Sequence, residues 1–292
     1  VRVASIFNGG LGDLLLCNRF TPAILDTFEV DKIDIVRPYI NDPSEANDIG
    51  NLNFVKNSFS KFYSDIKFCK KNNANPELDH LQQSCDTLYD FHGSEIYDKV
   101  YNFIPDRLYF LKYNELPINK YYNFFTKPHC SINNLEKKDY VYFFPVAREN
   151  QHELLKFPID FSKKIVDALS GKYELICPVS KSNDFLKRYC NEIGIKYYEC
   201  DLHEMWAFAK NCKAAICCDS GPKLFPMHFD KPVITITGFF DNKVGVPDYR
   251  FLVRWLLSKK TILPMNVDPN LLLRILDFIT TNLEQRINLN YH

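Results

Sequence analysis

"AAICCDSGPKLFPMHFDKPVITITG", Ala214–Gly238, runs from one apolar segment through a turn of small residues and a short helical stretch into a second apolar segment. The first run is continuously apolar, and the second has only Thr235 and Thr237 as polar residues. A strand that is apolar on both sides is covered on both faces, as in a parallel sheet with helices above and below. The turn "DSG" sits where the first strand would end and the helix begin. Small residues at a helix start leave backbone N–H groups open to an anion, and Lys223 adds a positive charge beside them. An ordinary capped helix start would look the same in sequence, so both readings stand.

The same alternation continues upstream. "YVYFFPV" reads as a strand, "FPIDFSKKIVDALSG" as a helix, "YELICPV" as a strand, "NDFLKRYCNEIG" as a helix closed by glycine, and "LHEMWAFAKNC" as a further helix. Downstream, Pro269–Ile287 carries Leu272, Ile275, Leu276, Ile279 and Leu283 at helical spacing. Before the polar stretch 133–139 the pattern recurs less regularly. Val1–Phe7 is strand-like, a helix is expected from about Asp13 to Phe28, "KIDIVRP" is a short strand, Asn51–Lys71 is expected to be helical, and "DTLYDFHG" is a strand with a glycine turn. The expected architecture is α/β, with two Rossmann-like domains, 1–132 and 133–292, whose parallel sheets face a central cleft. The last helix is a candidate to pack back on the first domain. Ligands of open parallel sheets lie beyond the carboxyl ends of the strands, which places the expected site in that cleft.

Composition excludes several classes. The chain has 292 residues, 46% hydrophobic and 25% charged, with 36 basic and 36 acidic residues. A balanced charge gives no footprint for nucleic acid. No apolar run approaches the ~20 residues of a membrane span. The 10 cysteines follow no disulfide or zinc spacing. They read as small core residues of a reducing compartment, so a cytoplasmic protein is expected, with peripheral membrane association left open and no metal site.

The first loop, "FNGGLGDLLL", bends on Gly9, Gly10 and Gly12 before the helix. The dinucleotide fingerprint needs a glycine where Leu15 stands, and the phosphate-binding G-K-[ST] is missing. Asp13 is then either a helix cap or a general base facing the cleft. Lys156, in "ELLKFPID", would stand at the cleft mouth. "YDFHGSE" places Asp90, His92 and Gly93 at another strand end.

The order of these pieces resembles the heptosyltransferases of glycosyltransferase family nine, which have the GT-B fold. "LGDLLL" matches the family's opening GD-hydrophobic turn, "DFHG" its D-x-Q/H-G strand end, "LKFP" its K-x-W-P-like segment and "DSG…DKPVITITG" its D-[ST]-G…KP-hydrophobic-G close. The resemblance spans about 1–100 and 140–245. It implies an inverting, metal-independent transfer of sugar from a nucleotide-diphosphate sugar to a hydroxyl of a glycan, a lipid-linked glycan or another acceptor, with no cofactor. Asp13 would be the catalytic base, beside an acceptor-side loop of Gly10, Gly12 and His92. Lys156 would contact the donor phosphates or sugar, and Ser220, Gly221 and Lys223 would bind the donor diphosphate. Asp219 would hold the sugar or order the turn, and Met205 would lie in the helix flanking the donor base. Two positions depart from the family. Leu224 stands where a His is usual, and the loop "SKSND" after "YELICPV" offers only Asp184 as an acid for the ribose. Alternatives of other classes are a non-catalytic sugar-nucleotide or glycan-binding module and a sugar-nucleotide epimerase or hydrolase.

Overall fold

The computed structural model describes residues 3–6, 11–18, 21–39, 49–70, 87–90, 128–130, 140–146, 156–218, 220–237 and 261–281. These fall into two compact units that part between His129 and Cys130. The polar stretch 133–139 lies outside the described residues.

The first unit comprises β1 (Val3–Ile6), α1 (Leu11–Asn18), α2 (Thr21–Phe28), β2 (Ile33–Tyr39), α3 (Ile49–Ser58), β3 (Tyr63–Lys70) and β4 (Thr87–Asp90). Its strands are parallel, in the order β3-β2-β1-β4. The single helix expected over 13–28 is two helices. Pro22 has no N–H to give to a preceding turn, and its fixed φ suits the start of a new helix. A buried polar trio holds the junction. The Tyr63 hydroxyl donates to Asn18 Oδ1 at 2.8 Å and accepts from Thr21 Oγ1 at 3.1 Å. The helix expected to reach Lys71 stops at Ser58. Phe59 and Phe62 close a turn by a backbone bond, and β3 follows with Phe62 and Tyr63 buried and Ser64 and Asp65 exposed.

The second unit comprises β5 (Tyr140–Phe144), α4 (Ile159–Leu169), β6 (Glu174–Ser180), α5 (Asp184–Ile193), β7 (Lys196–Cys200), α6 (Leu202–Asn211), β8 (Ala214–Cys218), a 3-10 turn at Gly221–Lys223 running into α7 (Leu224–Met227), β9 (Val233–Thr237), β10 (Thr261–Pro264) and α8 (Pro269–Thr281). All its strand pairs are parallel, in the order β10-β9-β8-β5-β6-β7. Every residue of β5 and β8 is buried, as continuous apolar strands require. Local chemistry sets the helix ends. Asn183 caps α5 by accepting from the Leu186 N–H, and Gly194 ends it at φ +76°, a conformation that costs a residue with a Cβ. Asp201 and Glu204 form a capping box on α6.

The last helix packs within its own unit. Leu272, Leu276 and Ile279 are buried, α8 lies against α4, and Asp277 accepts from the Tyr173 hydroxyl at 2.7 Å and pairs with Lys172 at 2.6 Å. These described contacts all lie within the second unit. Its described partners follow from an apolar stripe that matches α4 and from a carboxylate that meets the Lys172–Tyr173 turn. Cys177, Cys190, Cys200, Cys212 and Cys217 are free thiols and buried. Burial pushes the Cys200 and Cys212 thiols up to about 12, which leaves them inert as nucleophiles.

Candidate functional site

In an open parallel sheet, ligands bind where neighbouring strands send their connections to opposite sides. In the six-stranded sheet that point lies between β5 and β8, because β5 leads outward to β6 and β8 leads the other way to β9. Phe144 pairs with Cys217, so the segments after Phe144 and after Cys218 leave the sheet side by side. Lys156 and the Ser220 turn are on those two segments. The topology therefore brings to one sheet end two pieces that are more than sixty residues apart in sequence.

Lys156 is placed by its backbone. It forms an antiparallel bridge with Val146, and the next N–H, of Phe157, donates to the Pro145 carbonyl at 3.0 Å. Phe157 is fully buried between Phe143 and Phe161. The Tyr189 hydroxyl donates to the Phe157 carbonyl at 2.7 Å and accepts from Ser162 Oγ at 2.7 Å. Burial pushes the Tyr189 phenol well above its ordinary range, so it remains a donor at any physiological pH. The Lys156 ammonium lies 4.8 Å from the centroid of the Phe185 ring.

The second piece is anchored from below. Ser220 is extended, at φ −141° and ψ 165°, and its hydroxyl donates back to the Cys218 carbonyl at 3.4 Å. It makes no side-chain cap on the helix that follows, so the capped-helix reading of this serine does not hold. The Lys223 N–H closes the turn on the Ser220 carbonyl at 3.3 Å. Beneath it, fully buried Trp206 stacks on Phe225 at 4.6 Å and meets His228 and Phe229 edge-on. Lys223 is only 6% exposed. Its charge favours the Cys217 thiolate, yet burial and the nearby Cys218 and Cys212 thiols hold the Cys217 thiol far above its ordinary range. Gly221 opens the 3-10 turn. Leu224 is buried, so the position where the family carries His is an apolar core position here. Met205 is buried in α6 beside Trp206. Asp219 lies outside the described residues.

Asp184 is engaged elsewhere. Lys187 pairs with Asp184 and with Glu199, each at 3.1 Å, and also donates to the Lys181 carbonyl at 2.7 Å. Ser180 and Ser182 hydroxyls share a 3.2 Å bond at the end of β6. The loop where a Rossmann ribose acid is expected thus presents hydroxyls and Lys181, with its carboxylate already paired.

In the four-stranded sheet the switch point lies between β1 and β4. Ile6 pairs with Asp90, the last residue of β4. α1 follows β1 and starts at Leu11, which makes Gly12 its second residue and Asp13 its third. The N-cap reading of Asp13 is thereby corrected: two helical residues precede it. The first turn still favours its negative charge. Gly10 and His92 lie outside the described residues. Among the described residues no group of three His, Cys, Asp or Glu side chains could hold a metal ion, and no helix is long and apolar enough to cross a membrane. Sequence reasoning missed Phe185 and Tyr189. Their spacing of four on α5 was the available signal.

No family model and no curated protein matches the sequence. Solved structures do match. The ADP-heptose lipopolysaccharide heptosyltransferase II of E. coli aligns with a TM-score of 0.61 at 13% identity, over 97% of this chain and 100% of that one. The fold is that of the GT-B glycosyltransferases. A glycosyl transferase of family 9 from Veillonella parvula aligns with a TM-score of 0.57 at 13% identity, over 90% of this chain and 85% of that one. The E. coli heptosyltransferase WaaC, solved with ADP, aligns with a TM-score of 0.55 at 12% identity, over 97% and 98%.

Proposed function

We propose that the protein is an inverting, metal-independent glycosyltransferase that takes a sugar from a nucleotide-diphosphate sugar and gives it to a hydroxyl of a glycan, a lipid-linked glycan or another acceptor. The observation that carries this reading is that Lys156 and the Ser220–Lys223 turn lie on neighbouring segments at the switch point of a sheet in a GT-B fold. In the reaction, Asp13 takes the acceptor proton as the hydroxyl oxygen attacks the anomeric carbon. The bond from that carbon to the diphosphate breaks on the opposite face, and its electron pair leaves with the diphosphate. Lys156, Lys223 and the N–H groups at Ser220–Gly221 meet the charge that develops there. Asp219 and Met205 are assigned to the sugar and the base of the donor, and Gly10, Gly12 and His92 to the acceptor side. No cofactor is assigned. The free buried cysteines support a reducing, cytoplasmic setting.

One residue favours a second reading. Leu224 replaces the His usual in the family, which suits a module that binds a sugar nucleotide without turning it over. A thermal-shift panel of nucleoside diphosphates and nucleotide sugars tests the shared donor site. A ligand at about 100 times its Kd should add about 2.7 kcal/mol of stability. A flat response to every member of the panel refutes both readings. Release of free nucleoside diphosphate only in the presence of an acceptor separates transferase from binding module.

A further inference from the structure

The Ser220 turn and Phe185 flank the end of β5 from opposite sides. The order β8-β5-β6 puts Ser220 beyond the end of β8, and it puts Phe185, in the first turn of α5, beyond the end of β6. Lys156 hangs from the segment between them through its bridge to Val146. Its ammonium rests 4.8 Å from the Phe185 ring centroid, which holds it toward the β6 side. The ring itself is fixed. Asn183 caps the helix one turn around it, and Tyr189, one turn on and 6.4 Å away ring to ring, bonds the carbonyl of the residue after Lys156. Asp184 and Glu199 are paired with Lys187. Among the described residues no carboxylate lies within ion-pair distance of Lys156, and an aromatic face takes that place.

We infer that Phe185 is a positioning residue that competes with the ligand's diphosphate for the Lys156 ammonium. The inference rests on the proposal that Lys156 contacts the donor phosphates. A cation over an aromatic ring at a partly exposed site is favoured by about two- to fivefold. An ammonium–phosphate hydrogen bond is the stronger contact, so the ligand wins the lysine, and its apparent affinity is reduced by the share of molecules in which the lysine is at rest.

The test measures the Kd of ADP and of UDP by calorimetry for the natural chain, Phe185→Leu, Phe185→Tyr, Lys156→Ala and the Lys156→Ala/Phe185→Leu double variant. Phe185→Leu should tighten binding by about two- to fivefold. Phe185→Tyr, which keeps the ring, should match the natural chain, and Phe185→Leu should have no effect once Lys156 is gone. Weaker binding by Phe185→Leu, or equal tightening without Lys156, overturns the inference. A second measurement needs no ligand and no leucine variant. After reductive ¹³C-methylation, the Lys156 resonance, assigned by its loss in Lys156→Ala, should be displaced by the ring current. A Lys156 signal at the ordinary exposed-lysine position overturns the resting contact alone. A displaced signal in a chain that binds no nucleoside diphosphate overturns the donor-site proposal, and the competition with it.

Discussion

The two sheets share an arrangement and differ in charge. Read outward from its first strand, each begins in the order third, second, first, fourth: β3-β2-β1-β4 in one unit and β7-β6-β5-β8 in the other. Each therefore has a switch point next to its first strand. The segments leaving the first sheet there carry carboxylates, Asp13 in the first turn of α1 and Asp90 at the end of β4. Those leaving the second carry lysines, Lys156 and Lys223, around a turn of serine and glycine. Under the proposed function, the same backbone layout would serve proton abstraction in one unit and anion binding in the other. Topology says where a ligand can sit, and the residue types at the strand ends say what it can be.

Breaking that division of labour gives the largest expected effect. Asp13→Asn should lower turnover by about 10²–10⁴-fold, while the Kd for a nucleoside diphosphate stays unchanged. Steady-state kinetics beside calorimetry check this, and full activity in that variant would remove the base from the first unit. Next comes the support under the lysine side. Trp206→Ala should cost about 3–5 kcal/mol in urea denaturation, because it leaves a cavity under Phe225 and His228. Lys156→Ala should then sharpen the contrast from the other side, raising the nucleoside diphosphate Kd by about 10- to 100-fold without a comparable loss of stability.

The smallest effect lies away from both strand ends. The Lys172 hydrogen bond, and then that of Tyr173, hold the Asp277 carboxyl below the usual carboxylate range. A depressed carboxylate contributes stability that is present above its unfolded pKa and is lost as pH falls through its folded value. Asp277→Asn should therefore cost about 1 kcal/mol at neutral pH and much less near pH ~3, read as the shift in urea midpoint at the two pH values.

Much of the second unit was legible in the sequence. Its core strands are continuous apolar runs, and Asn183 and Gly194 mark the ends of α5 by chemistry that acts within a few residues. β7 was not legible, because "KYYEC" has four exposed or half-exposed polar and aromatic positions and no apolar run. β3 was hidden because lysines and aromatics are mixed through it without strict alternation: Phe62 and Tyr63 are both buried and the next two residues both exposed. At the site, the sequence placed Lys156 and the Ser220 turn near strand ends. Sequence spacing could not reveal that a ring on α5 faces Lys156, since that contact depends on how β5 and β6 lie side by side. Nor could it settle the Ser220 hydroxyl, which turns to Cys218 and leaves the helix uncapped.

β7 has a further consequence. Among the described residues it is the outermost strand of its sheet, with a row of backbone groups that no neighbour takes. Such a border can recruit a strand from another molecule and start a stack. Here the border carries Lys196, paired to Glu174 across the strand gap at 3.3 Å, and Glu199, paired to Lys187. Charged side chains along such a border disfavour its pairing with another strand, a matter of solubility quite separate from holding the fold together.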